Sequence, residues 1–192
     1  MDTNTNSLIH TKRQGRARET LFRVAYQHQG QLIQIADYKA NMIISICTMI
    51  ISAIIAIIGY GVVTGKGASY VPLFIAPVLS VILSCLVSLI FAIQAAKPKF
   101  VSQSIKEGGR SSLLFFGMIA QHTQQDYLTK MKLLLEDEDD VFEHMTIDLY
   151  NQGVVLKMKY ELLRKAYQFL LVGFVLSTIL FILSIAWGQM MG

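Results

Sequence analysis

Three stretches of this sequence, Met42–Val62, Val71–Ala95 and Phe169–Trp187, contain no Asp, Glu, Lys, Arg or His. An α-helix rises 1.5 Å per residue, so about 20 apolar residues cross the roughly 30 Å of hydrocarbon in a bilayer. All three are long enough. The composition agrees, with 53% hydrophobic and 16% charged residues, against about 25% charged in soluble domains. The expected fold class is therefore an all-α membrane protein with three transmembrane helices. The short link "VTGKGAS" makes the first two an N-terminal antiparallel hairpin, and the third is a C-terminal span that follows a helical cytosolic insert.

Charge fixes the expected orientation. Sixteen of the 17 Lys and Arg residues precede the first span or lie between the second and third, Lys66 being the exception. Basic flanks stay in the cytoplasm, which accounts for the net charge of +4 without nucleic acid. The N-terminus is then cytoplasmic. Residues 1–18 read as a disordered basic tail and 19–41 as a cytosolic helix leading into the membrane. The hairpin occupies 42–95 (42–62 and 71–95). A helical cytosolic segment spans 96–168, the third transmembrane helix 169–187, and an external tail 188–192. Leu21, Val24, His28, Leu32 and Ile35 mark one stripe of the cytosolic helix.

At the mouth of the first span, "IADYKAN" carries Asp37 and Lys39. The two are too close on a helix to face one another. Lys39 can reach up to the headgroups, whereas a carboxylate is repelled by anionic lipid. Asp37 is accordingly expected to pair with a cation from elsewhere in the protein, as an anchor or as part of a gate.

Ala76, Ser80, Ser84, Ser88 and Ala92 recur every four residues along the second span. Small side chains let helices approach closely in lipid. Two partners fit this seam: another span of the same chain, or another copy, with Ser80, Ser84 and Ser88 lining a narrow path. Cys47 and Cys85 lie in apolar runs without metal or redox spacing and read as small buried residues.

Beyond "EDEDD", which lacks the glycine and alternating ligands of a calcium loop, Phe142, Met145, Leu149, Gly153, Leu156, Tyr160, Leu163, Tyr167 and Leu170 recur at three- and four-residue steps. No proline interrupts them, so one helix is expected from about Asp140 to Trp187. Gly153 is either a hinge or a close packing contact. Thr123 and Asp126 resemble a capping box opening a helix at Gln124.

The four histidines lack metal-ligand spacing, and no phosphate loop, nucleophile elbow or dinucleotide fingerprint occurs. No enzyme activity, metal or bound cofactor is expected. The stretch "KEGGRSS" is either a surface turn or a phosphate cradle built by Lys106, Arg110, Ser111 and Ser112. Phe115 and Phe116 follow it, in a position either to join a core or to stack on a base.

Taken in order, "ADYKAN", "SSLLFFGMIA" before "DYLTKM", and "DLYNQGVVLKMKYELLRKAYQFLLVGFV" resemble the membrane-spanning effectors of bacterial Pycsar anti-phage systems, over roughly Gln31 to Val175. The matching positions are Asp37 and Lys39; Leu114, Phe115, Phe116 and Gly117; and Tyr160, Leu163 and Tyr167. Ser111 and Ser112 stand where relatives often carry Asn. The resemblance implies a partner nucleotide cyclase that makes a cyclic pyrimidine mononucleotide, the activating ligand. It also implies an effector, expected to be a homo-oligomer in the lipid bilayer, that impairs the inner membrane and causes abortive infection. A non-enzymatic membrane scaffold that docks a cytosolic partner, and a pore-forming effector answering another signal, are the alternatives.

Overall fold

The computed structural model describes residues 3–64, 71–97, 112–114, 119 and 121–191. Among these there are four α-helices and no strand: α1 (Thr3–Thr64), α2 (Val71–Ala96), α3 (Gln124–Leu134) and α4 (Glu138–Met191). Three of them are long and apolar enough to cross a membrane.

The end of α2 and the start of α3 fall where their sequences direct. Lys97 N–H closes on the Ile93 carbonyl at 3.0 Å, and the following Pro98 has no N–H with which to continue α2. Thr123 caps α3, its hydroxyl accepting from Asp126 N–H at 3.3 Å as the capping box requires. For α4 the cap is Asp137, whose carboxylate accepts from Asp139 N–H at 2.9 Å. The acidic run is therefore a cap followed by first-turn residues Glu138, Asp139 and Asp140, where negative charge complements the helix dipole. The start falls slightly earlier than the sequence pattern suggests.

Both ends of the chain differ from expectation. Helix α1 starts at Thr3, so most of the 1–18 stretch expected to be disordered is helical. No proline interrupts that stretch, and Arg23 pairs with Glu19 one turn apart at 3.0 Å. Helix α4 runs on to Met191, taking in most of the 188–192 tail.

The chain forms two compact units: residues 1–34 with 98–157, and residues 35–97 with 158–192. Helices α1 and α4 each supply residues to both. In the first unit Phe22 of α1 stacks on Phe142 of α4 at 5.4 Å between centroids. One turn on, the Tyr26 hydroxyl donates to the Met145 carbonyl at 3.1 Å, and Gln29 Nε2 to the Leu149 carbonyl at 3.2 Å. The packed face of α1 is thus Phe22, Tyr26 and Gln29. Leu21 and Val24, from the expected stripe, are 63% and 58% exposed. Apolar count alone picked the other face, because two of the three packing residues carry polar tips.

In the second unit α1 contributes Ala36, Ala40, Ile43 and Cys47, α2 contributes Cys85, Ser88, Ala92 and Ala95, and α4 contributes Lys159, Leu163, Ala166 and Ser177, all buried. Ala76 is exposed, so the stripe expected on α2 is only partly the seam. Four residues advance about 400° around a helix of 3.6 residues per turn, so a strict four-residue repeat drifts by about 40° per step. Mixed steps of three and four hold one face.

Candidate functional site

At the N-terminal mouth of the first span, Asp37 pairs with Lys159 of α4. The ion pair is lopsided: the Lys159 side chain is 6% exposed and that of Asp37 is 40%. Two residues along α1, Lys39 Nζ lies 5.8 Å from the ring centroid of Tyr160, near enough for a cation–π attraction. Consecutive residues of α4 thus receive both charges of the "DYK" motif. The sequence called for a cation opposite Asp37, and the fold supplies Lys159, which lies one turn before Leu163 on the buried face of α4.

The seam between α2 and α4 is made of hydroxyls and missing side chains. Ser84 Oγ donates to the Phe169 carbonyl at 2.7 Å and Ser88 Oγ to the Ala166 carbonyl at 2.8 Å. Ser177 returns a bond from α4 to the Pro77 carbonyl at 3.2 Å. A methyl group on Gly173 would stand 1.8 Å from Ser84 Oγ and 2.0 Å from its Cβ, so only glycine fits there. Phe91 stacks on Phe169 beside the seam at 5.5 Å between centroids. Ser84 and Ser88 therefore spend their hydroxyls within the chain in this arrangement, while Ser80 is half-buried. Cys47 and Cys85 are both free and buried, and their thiols lie close enough to interact.

In the first unit, Ser112 is buried, donates to the His144 carbonyl at 2.9 Å and accepts from Leu114 N–H at 3.2 Å. Leu113 N–H donates to His144 Nδ1 at 3.3 Å. Ser112 anchors its segment to α4, with its hydroxyl already engaged. Lys106, Arg110, Ser111, Phe115, Phe116 and Gly117 lie outside the described residues.

Gly153 lies inside the unbroken helix α4. A methyl group there would come within 3.2 Å of Gln29 Nε2, so the glycine makes room for the amide that bonds Leu149. Gly153→Ala trades a helix-propensity gain of about 1 kcal/mol against partial loss of one neutral hydrogen bond, about 1 kcal/mol. Stability in detergent is expected to change by less than about 1 kcal/mol and the protein's activity to persist. A hinge at this position requires activity to collapse instead.

Two features carried no signal in the sequence. Lys159 and Asp148 are polar residues inside an otherwise apolar helical rhythm and both are buried. Gly173 sits in a run where glycine has no marked neighbour. Among the described residues no cluster of His, Cys, Asp or Glu is arranged to hold a metal.

The family model of the Pycsar effector protein domain matches residues 20–186. No curated protein and no solved structure matches the chain.

Proposed function

From the premise that the chain belongs to the Pycsar effector family, whose members act in anti-phage defence, we propose that it is a multi-pass effector that answers a cyclic pyrimidine mononucleotide by impairing inner-membrane integrity. The matched domain is not a known catalytic one, and the effector acts by motion rather than chemistry. A neighbouring nucleotide cyclase supplies the ligand, and loss of the infected cell limits the phage.

The observation that carries this reading is helix α4, one element from Glu138 to Met191. It bears Ser112's anchor and Asp148 in its cytosolic part, and Lys159, Gly173 and Ser177 in its membrane part. Ligand contacts on the cytosolic part shift α4, and the hydroxyl seam between α2 and α4 gives way. For that to happen the ligand must bind the open arrangement better than the resting one. The Asp37–Lys159 pair favours the resting arrangement. Lys106, Arg110 and Ser111 supply phosphate contacts in this reading, and Phe115 and Phe116 a stacking surface.

Homo-oligomerisation belongs to the same reading. Arg16, Thr20, Leu21, Val24 and His28 form an exposed face of α1, suited to α1 of a second copy. A scaffold that docks a soluble protein would use the same face without permeation.

Cells that co-express the effector with an active pyrimidine cyclase should depolarise, and cells with a catalytically dead cyclase should not. Unchanged membrane potential with the active cyclase contradicts the proposal. Purified protein in liposomes that passes no ions on addition of cyclic CMP or cyclic UMP, yet recovers a cytosolic protein, favours the scaffold.

A further inference from the structure

Within the first unit, Asp148 of α4 is 3% exposed. Its Oδ2 accepts from Gln152 Nε2 at 2.8 Å, whereas Oδ1 is buried and has no hydrogen-bond partner among the described residues. A buried charged oxygen without a donor is costly, so it marks a place where a donor belongs.

Two donors lie near. Burial, reinforced by a hydrogen bond toward Asp148 itself, pushes the Tyr26 hydroxyl above the ordinary tyrosine range. It therefore keeps its single hydrogen, which cannot fully satisfy both the Met145 carbonyl and the Asp148 carboxylate. Gln29 gives its amide to the Leu149 carbonyl. Tyr26 and Gln29 thus make two single bonds between neutral groups, of the kind that exchanges readily for bonds to a ligand.

Resting on the nucleotide reading above, we propose that Asp148 Oδ1 and the side chains of Tyr26 and Gln29 read the base of the activating nucleotide. When α1 and α4 part locally in this unit, the site offers one acceptor, Asp148, and two donors, the Tyr26 hydroxyl and the Gln29 amide. The hydrogen-bonding edge of a pyrimidine is the complement. Uracil presents one N–H between two carbonyls, and cytosine presents an amino group beside a ring nitrogen and a carbonyl. Guanine presents two donors and one acceptor, and leaves a donor facing a donor. The phosphate is an anion and is kept from Asp148 by like charge. Binding replaces the Tyr26–Met145 and Gln29–Leu149 bonds, so occupancy of the site and separation of α1 from α4 are one event.

The test is equilibrium binding of cyclic CMP, cyclic UMP and cyclic GMP to the full chain in lipid nanodiscs, with helical content followed by circular dichroism. Wild type should bind at least one of the two pyrimidine nucleotides and bind cyclic GMP weakly. Asp148→Asn keeps the shape and turns the free oxygen into a donor or a neutral acceptor. It should lose at least about tenfold in affinity with helicity unchanged. The 2′-deoxy analogue should show the same loss. Tyr26→Phe should weaken binding several-fold, and it decides the matter if Asp148→Asn fails to fold. Asp148→Asn or, in that event, Tyr26→Phe binding like wild type overturns this site and leaves the nucleotide reading standing. A loss that disappears with the 2′-deoxy analogue assigns Asp148 to the ribose and also overturns it. Wild type that binds neither pyrimidine nucleotide removes the parent reading together with the site.

Discussion

Alanine in place of Gly173 is expected to force α2 and α4 apart and to lower stability by about 2–3 kcal/mol. The added methyl group would stand 2.0 Å from Ser84 Cβ as well as 1.8 Å from its Oγ, and side-chain rotation leaves Cβ where it is, so rotating the serine cannot relieve the overlap. Separation of the helices also breaks the Ser84–Phe169 bond, worth about 0.6 kcal/mol in a membrane. The exchange Ser84→Gly with Gly173→Ala moves the methyl group to the other helix and restores the close approach. That double variant should recover to within about 1 kcal/mol of wild type. Unfolding in mixed detergent micelles measures both. A single Gly173→Ala variant as stable as wild type means that the two helices do not meet here.

The second large effect concerns the ion pair. Removing Asp37 strands an ammonium whose side chain is 6% exposed. Asp37→Ala should therefore cost about 3 kcal/mol. Removing Lys159 leaves a carboxylate that is 40% exposed and can recruit water, so Lys159→Met should cost only about 1 kcal/mol. The double variant, with neither charge, should lie closer to wild type than Asp37→Ala alone. A cycle in which the two single variants cost the same, and their costs add, would mean the charges do not interact. Under the proposed function, Asp37→Ala also biases the protein away from its resting arrangement. Its toxicity should rise without a cyclase at equal membrane abundance, whereas equal toxicity would reduce the pair to an anchor.

The membrane spans were legible because uncharged runs of that length have few other solutions. The demand for a partner to Asp37 was legible as well, from the cost of a carboxylate in that place. Which cation answers it was not. Lys157 and Lys159 are equivalent in the sequence "LKMKYE", and only the phase of the buried face through Leu163 and Ala166 selects Lys159. The same limit applies to Ser84 and Ser88. Their small size announced a seam, but a hydroxyl serves a neighbouring span or a second copy equally well until the backbone carbonyls of Phe169 and Ala166 are in place. On α1 the apolar stripe pointed to Leu21 and Val24, while packing uses Phe22, Tyr26 and Gln29. Polar tips that bond helix carbonyls leave no trace in a hydrophobic pattern. Asp148 was hidden in the same way, as a polar residue among others in "IDLYNQG".

The central claim is that α4 transmits a cytosolic event to the membrane because it is one continuous helix. A flexible Gly-Ser-Gly-Ser insert between Lys157 and Met158, where α4 passes from one compact unit to the other, breaks that continuity and leaves each unit's own contacts in place. With the insert, nucleotide binding in nanodiscs should persist while cyclase-triggered depolarisation is lost. Depolarisation at the wild-type level in cells carrying the insert would contradict the account.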